Sequence, residues 1–311
     1  MKNILYIGTT RLSLELLKNL HSHSELKITG IVSGEENFRI SYSKELVHNY
    51  NYRDLTVFAN QNLIPSFKMS NGMKDRRLKH WISQRAFDYI LVVGWYHMIP
   101  EDWIADYKCL GVHASLLPKY RGGAPLVWAM INGETETGVS LFLMDNGVDT
   151  GRVLAQNKIL IEEQETIAKL LNKVEKETIQ MCVENLPLIE NSQLCNVDNS
   201  PILGIPYPQR RPEDGKIVFP ISMDELSRFI RAQTRPYPGA YLEKGPKKLY
   251  LWEPFSRTKN LSAKGMGKVF MNKNKIEVQC EDGRLSIAEC SLIEGNTEIR
   301  NPKEIIHRWN N

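Results

Sequence analysis

Residues 88–94 read DYILVVG, and this stretch decides the fold. Five consecutive residues, Tyr89 to Val93, leave no polar face, which is the pattern of a strand covered on both sides within a parallel sheet. The glycine at 94 closes the run. Outward from it, Cys109–His113 (CLGVH) predicts another short strand. Upstream, Asn3–Gly8 and Leu26–Val32 are apolar runs of strand length, separated by Leu12–Leu20 with helical spacing. Val57–Ile64 suggests a turn of helix ending at Ile64-Pro65, and Met73–Arg85 a polar helix. Strand and helix alternate, so the expected class is α/β, a doubly wound and mostly parallel sheet. Ligands on such sheets bind beyond the carboxyl ends of the strands, which places Gly94–Pro100 and His113–Pro125 at the binding edge.

Downstream, Gly138–Met144 and Arg152–Ile161 predict a hairpin around the loop DNGVDTG, residues 145–151. Glu162–Asn191 has helical character. Pro201, Pro206, Pro208, Pro212 and Pro220 punctuate residues 192–220, a segment that wraps rather than packs. Met223–Arg235 predicts a helix, with Asp224 and Glu225 near its start. From Ala240 the pattern turns to short strands, with turn signals at Asn272–Asn274 and Asp282-Gly283, so a small β-rich, OB-like domain is expected. The predicted organisation is a catalytic domain over 1–191, a segment over 192–241 that completes the substrate site, and a C-terminal domain over 242–311.

The chain has 311 residues, 42% apolar and 24% charged, with a formal net charge of +4. That balance is ordinary for a globular protein and too small to argue for nucleic acid. Cys109, Cys182, Cys195, Cys280 and Cys290 are scattered and form no CxxC pair, which predicts free thiols in a reducing compartment and no metal site. The N-terminus makes a poor signal peptide and a good first strand, and no apolar run nears the ~18–20 residues of a membrane span. A cytoplasmic protein without membrane partners is expected. The first strand–helix turn, GTTRLS, lacks the G-x-G-x-x-G spacing, so a dinucleotide-phosphate turn is not supported.

His113 stands at a strand's carboxyl end. A histidine titrates near ~6.5, so it can serve as a neutral base, provided that a carboxylate orients it. Asp145 and Asp149 are the candidates. A satisfied strand-end histidine beside turn-capping acids fits the same pattern. Trp95 and Met98 offer a flat apolar wall for an aromatic ligand, or ordinary packing. His97 is a second titratable group in that crevice, or part of its wall. His21 and His23 lie at a turn and carry no metal assignment. Arg210, Arg211 and Lys216, beside Glu213 and Asp214, suit a diphosphate through charge-assisted bonds, or form a solvated charge run.

The block HASLLPKYRG, residues 113–122, resembles the signature loop of the formyltetrahydrofolate-dependent formyltransferases. INGETETGVS at 131–140, DNGVDTG at 145–151, YPQRRPEDGKI at 207–217 and IRAQTRPYPGAY at 230–241 are similar to later motifs of that family, in the same order. The resemblance implies transfer of a formyl group from N10-formyltetrahydrofolate, a co-substrate, to a primary amine, without a metal. The amine must lose a proton, the oxygen of the formyl group gathers negative charge and needs donors, and N10 must take a proton to leave. His113 matches the family's catalytic histidine and Asp149 its aspartate. Trp95, Met98, Leu117, Asp145, Asn146 and Asp149 fall where the folate is held. Ser115, Lys119, Tyr120, Arg121, Arg210, Arg211, Asp214 and Lys216 fall where the acceptor is held. Gly111 departs from the family, which has an asparagine there whose amide steadies the oxyanion. Loss of such a donor costs ~10²–10³ in rate. Either protonated His113, a water or another amide takes over, or the protein is a weakly active folate binder. The intact signature loop favours an active enzyme.

The acceptors of the family are glycinamide ribotide, methionyl-tRNA and nucleotide-linked amino sugars. The glycinamide ribotide enzymes lack a second domain. A tRNA acceptor calls for a broad basic surface. Residues 244–311 hold 13 Lys and Arg against 8 Asp and Glu, a modest excess, and the stretch SGEENFRISYSKELVHNYNYRD after the second strand has no basic cluster. RRPEDGK resembles the segment that sugar N-formyltransferases lay over a nucleotide diphosphate. The expected acceptor is therefore a UDP- or dTDP-linked amino deoxysugar of a surface glycan, with methionyl-tRNA as the alternative. The exposed strand candidates of the tail suit packing on the same chain or a homodimer contact.

Overall fold

The computed structural model describes residues 1–39, 46–189, 205–259 and 265–311. In chain order the first elements are β1 (Lys2–Gly8), α1 (Arg11–His21), β2 (Leu26–Ser33), β3 (Asn37–Phe38), β4 (Val47–His48), α2 (Leu55–Gln61), β5 (Ser66–Lys68) and α3 (Arg76–Ser83). There follow β6 (Tyr89–Val93), α4 (Glu101–Asp106), β7 (Cys109–His113), α5 (Pro125–Ile131), β8 (Glu136–Leu143), β9 (Val153–Leu160) and α6 (Ile167–Asn185). The remainder is α7 (Met223–Gln233), β10 (Ala240–Lys244), β11 (Lys247–Lys259), β12 (Val269–Asn272), β13 (Lys275–Gln279), β14 (Gly283–Glu294), β15 (Thr297–Ile299) and α8 (Pro302–Asn310).

The larger sheet has the order β5-β2-β1-β6-β7-β8-β9. Its pairs are parallel from β5 to β7, and β8 runs antiparallel to β7. The five residues of β6 are all buried, as the unbroken apolar run requires. α1 begins at Thr10, whose hydroxyl accepts from the Ser13 amide while Ser13 Oγ accepts from the Thr10 amide, a cap worth about 1 kcal/mol. Its apolar face buries Leu16, Leu17 and Leu20 completely, and each such side chain contributes roughly 1.5–3 kcal/mol. The expected doubly wound α/β sheet is present, followed by an antiparallel sheet of order β10-β11-β14-β13-β12, with β15 on β14. Lys273 and Asn274, both left-handed (φ 46° and 64°), make the two-residue turn between β12 and β13.

Two compact units interleave along the chain: residues 1–122, 137–160 and 172–206 in the first, and 123–136, 161–171 and 207–311 in the second. The contiguous division expected at 191 and 242 differs because residues 123–136 and 161–171 pack with α7. Arg231 donates to the Glu165 carbonyl at 3.0 Å, and Arg228 to that of Ile131 at 3.4 Å. The helix expected from Glu162 starts at Ile167, since Glu165 folds back on Glu162 through backbone and side-chain bonds. Residues 190–204, which hold the expected boundary and Pro201, lie outside the described residues. α4, α5 and α8 are too short to impose a periodicity that the sequence displays; α8 is held by its Asn301 cap. No helix among the described residues is long and apolar enough to cross a membrane.

Candidate active site

β7 ends in His113, which lies opposite Ser140 on β8. From that pair a buried network fixes the following loop. The Ser140 hydroxyl donates to the Ser115 carbonyl at 2.7 Å and accepts from the Leu117 amide at 3.2 Å. Gln156 Nε2, on β9, lies 2.8 Å from Ser140 Oγ and 3.1 Å from the Leu117 carbonyl. Ser115 is fully buried and its hydroxyl donates to the Lys119 carbonyl at 2.6 Å. Leu117 packs with Phe142 and Val153. As ligand contacts, then, Ser115 and Leu117 are displaced inward: their side chains build the loop. Lys119 is exposed, and Tyr120 and Arg121 are buried.

This loop and the one between β8 and β9 each deliver a group to the His113 ring. Tyr120 adopts a left-handed backbone (φ 56°), and its carbonyl lies 2.8 Å from Nε2. Asp149, also left-handed (φ 52°), places Oδ2 3.5 Å from Nδ1. The same oxygen accepts from the Gly122 amide at 2.8 Å. Left-handed conformations cost a non-glycine residue ~1–3 kcal/mol and persist where surrounding contacts enforce them. Here two of them aim the partners of one imidazole. Because a carbonyl only accepts, Nε2 carries a hydrogen in both charge states of the ring, and Nδ1 is the nitrogen that gains and loses a proton. Asp149 lies beside that proton position. The orienting bond expected from a carboxylate is made instead by a backbone carbonyl, which leaves no trace in a sequence. The other acid of the loop, Asp145, closes the turn, accepting from the Gly147 amide at 3.0 Å and the Thr150 hydroxyl at 2.6 Å. Asn146 is exposed.

Gly111 shares the His113 face of β7 and lies directly across from Phe142. A Cβ at 111 would fall 2.6 and 2.7 Å from the Phe142 ring and 2.8 Å from the Met144 methyl. The space beside Gly111 is thus taken by the Phe142 ring and the Met144 methyl, which would have to shift for a side chain at 111. The third residue on this face, Cys109, is no alternative nucleophile: burial pushes its thiol up to about 12.

Beyond β6 stand Trp95, Tyr96, His97 and Met98. Met98 is half exposed, whereas Trp95 packs on Gly34 with its indole nitrogen buried and without a hydrogen-bond partner. His97 packs against Phe38 and Trp95, and burial holds its imidazole below the usual value, so it is part of the wall. Asn49, fully buried, ties this wall to the β1 turn. Its Nδ2 donates to the Thr9 carbonyl at 3.0 Å, and its Oδ1 accepts from the Asn51 amide at 3.0 Å and the Tyr96 hydroxyl at 3.3 Å. The sequence reading passed over Asn49, whose only signal is an amide within a polar run.

Arg210, Arg211, Asp214 and Lys216 belong to the second unit. Arg210 stacks over Trp128 and donates to the Asp214 carbonyl and to Gln233. Asp214 accepts from the Arg211 amide at 2.7 Å, and Lys216 pairs with Glu243. Arg210 and Lys216 are committed within the unit rather than presented as bare cations, and Arg211 is exposed. Among the described residues no three His, Cys, Asp or Glu side chains converge as metal ligands would.

Residues 12–186 match the formyl transferase family model, and residues 210–300 match the formyl transferase C-terminal domain. The chain is 31% identical over 255 residues to the bifunctional polymyxin resistance protein ArnA of Wigglesworthia glossinidia brevipalpis, covering 78% of this chain. It is 32% identical over 204 residues to the methionyl-tRNA formyltransferase of Caldanaerobacter subterraneus, covering 65% of this chain. It spans 38% and 65% of the lengths of those two relatives. An N-formyltransferase from Helicobacter canadensis, solved with folinic acid and dTDP-3-aminofucose, superposes with a TM-score of 0.66 at 17% identity, over 93% of this chain and 100% of the other. With the family model covering more than half of its residues, and with a strand-end histidine facing an aspartate 36 positions on, this chain belongs to the formyl transferase family.

Proposed function

We propose that the protein transfers a formyl group from N10-formyltetrahydrofolate to the primary amine of a nucleotide-linked amino deoxysugar. The observation that carries the reading is the convergence of Asp149 Oδ2 and the Tyr120 carbonyl on the two nitrogens of His113. In this reading Nδ1 receives the proton that the amine releases as its nitrogen bonds to the formyl carbon. Asp149 stabilises the cation so formed, and the proton is returned to N10 as the N10–carbon bond breaks. Atoms and charge balance without a metal. Trp95 and Met98 beyond β6, with the 145–149 loop beside His113, suit the folate: an exposed thioether and an aromatic wall fit a flat heterocycle with polar edges.

An amino-sugar acceptor is supported by the sugar-nucleotide ligand of the Helicobacter canadensis neighbour and by the small charge excess of the tail. The second reading, methionyl-tRNA as acceptor, is favoured by the name of the Caldanaerobacter relative. The stretch in which a basic loop would lie includes residues 40–45, outside the described residues. Single-turnover assays with N10-formyltetrahydrofolate and a panel of UDP- and dTDP-linked amino sugars, run beside initiator methionyl-tRNA, decide between them. Formylation of a sugar amine supports the first reading. Transfer to tRNA with a steep salt dependence supports the second. Folate binding without transfer to either overturns both.

A further inference from the structure

The face of β7 and β8 on which the imidazole stands carries Cys109, Gly111 and His113 from one strand and Ser140 and Phe142 from the other. The donors on it are already committed, apart from Nδ1 of His113 once it is protonated: Nε2 donates to the Tyr120 carbonyl, and Nδ1 lies 3.5 Å from Asp149 Oδ2. The Cys109 thiol stays protonated and faces the Trp103 carbonyl at 3.7 Å. The Ser140 hydroxyl is spent on Ser115, and Gly111 contributes no side chain. What occupies the vacant position is the Phe142 ring, 3% exposed and wedged against Leu117, Val153 and Met144. The fit is mutual. A Cβ on residue 111 would sit 2.6 Å from the ring edge, closer than carbon atoms approach, so a side chain there requires the ring to shift, and the glycine admits the ring where it stands. The Met144 methyl would lie 2.8 Å from the same Cβ, so a side chain at 111 requires both Phe142 and Met144 to give way.

We propose that Phe142 is a positioning residue of the reaction centre: packed against Gly111, its ring stands where a side-chain donor from β7 would lie and leaves the protonated Nδ1 of His113, the nitrogen not bonded to Tyr120, as that strand's side-chain donor to the oxygen of the transferred group. The inference rests on the formyl-transfer reading for its chemistry and on packing alone for the lock. The apolar ring lowers the local dielectric, which strengthens the attraction between a protonated His113 and Asp149 and between that ring and a developing oxyanion. One imidazole then serves the amine proton and the oxyanion in turn, in place of an imidazole and a separate amide.

The test uses four full-length proteins: wild type, Gly111→Asn, Phe142→Ala and the double variant. Single-turnover formyl transfer and the thermal midpoint are measured for each. Gly111→Asn is expected to lose at least ~10-fold in rate and several degrees in midpoint, through overpacking. The double variant, with room for the amide, is expected to regain at least ~10-fold over Gly111→Asn, since an oxyanion donor is worth up to ~10²–10³. Its midpoint should lie above the sum of the two single losses. Wild-type behaviour of Gly111→Asn, or strictly additive losses in the double variant, overturns the lock. Should Phe142→Ala fail to fold, Gly111→Ala and Phe142→Leu form a milder cycle with the same sign in the thermal midpoint, where alanine tests the packing without adding an amide. Phe142→Leu alone separates positioning from mere packing: kcat falls while KM for the formyl donor holds, and an unchanged kcat overturns the positioning role. If the wild type transfers no formyl group to any acceptor, the functional reading fails, and the midpoint coupling alone then decides the lock.

Discussion

Replacing Asp149 by asparagine isolates its charge. Asp149 Oδ2 both accepts from the Gly122 amide at 2.8 Å and faces His113 Nδ1 at 3.5 Å. An asparagine whose oxygen keeps the Gly122 bond therefore retains the geometry and loses only the negative charge. Two unit charges at 3.5 Å attract by about 2–5 kcal/mol for an effective dielectric of roughly 20–40. With the Asp149 side chain 21% exposed, the lower part of that range applies, about 2–3 kcal/mol. The transition state, in which the ring is protonated, should lose that stabilisation, so kcat should fall roughly 30- to 150-fold with little change in KM. In a serine-protease triad the same substitution costs ~10⁴, because there the aspartate also fixes the tautomer. Here the Tyr120 carbonyl fixes it through Nε2, and the smaller loss follows. Single-turnover rates at saturating donor and acceptor measure the effect. A drop of ~10⁴ would show that Asp149 sets the tautomer after all, and a drop under ~3-fold that its charge does not act on His113; either result refutes the reasoning.

Three further outcomes are expected. Gln156→Leu removes the bond to the Leu117 carbonyl and the bond to the Ser140 hydroxyl that supports the same loop; stability should fall by about 1–3 kcal/mol and kcat should fall more than KM changes, as urea unfolding and steady-state kinetics will report. Asn49→Ala leaves the Thr9 carbonyl and the Asn51 amide without their buried partner, so it should cost about 1–3 kcal/mol and weaken tetrahydrofolate binding, with Tyr96→Phe giving a smaller effect of the same sign by calorimetry. Burial holds His97 below the usual imidazole value, so the unfolded chain takes up that proton more readily than the folded one. The associated stability is complete above pH ~6.5 and is lost as pH falls, so the urea midpoint of the wild type should drop more steeply between pH 7 and 5 than that of His97→Phe; parallel slopes would contradict this.

The parallel sheet was legible because burial on both faces forces an apolar run, and DYILVVG is such a run; β7 was likewise legible, from Cys109 to His113. The interleaving of the two units was not, because it depends on where Glu165 and Ile131 present their carbonyls to Arg231 and Arg228, a matter of packing rather than of pattern. The charge run at 210–216 illustrates the same limit. Its cations invited a phosphate, yet Arg210 lies on an indole and Lys216 on Glu243, partners far away in the chain.

By itself the sequence determined the residue types at the reaction centre: an imidazole closing a strand, a carboxylate in a turn, and a glycine where a side chain was expected. Those are covalent facts, and the spacing of apolar residues fixes which strand carries them. Only the tertiary structure decided what each of them touches. The tautomer of His113 depends on a backbone carbonyl, the role of Asp149 on a single shared oxygen, and the meaning of Gly111 on the ring of Phe142 across the sheet. Each of these is a through-space relation set by strand register and left-handed turns, and no local pattern of residues encodes the distance between them.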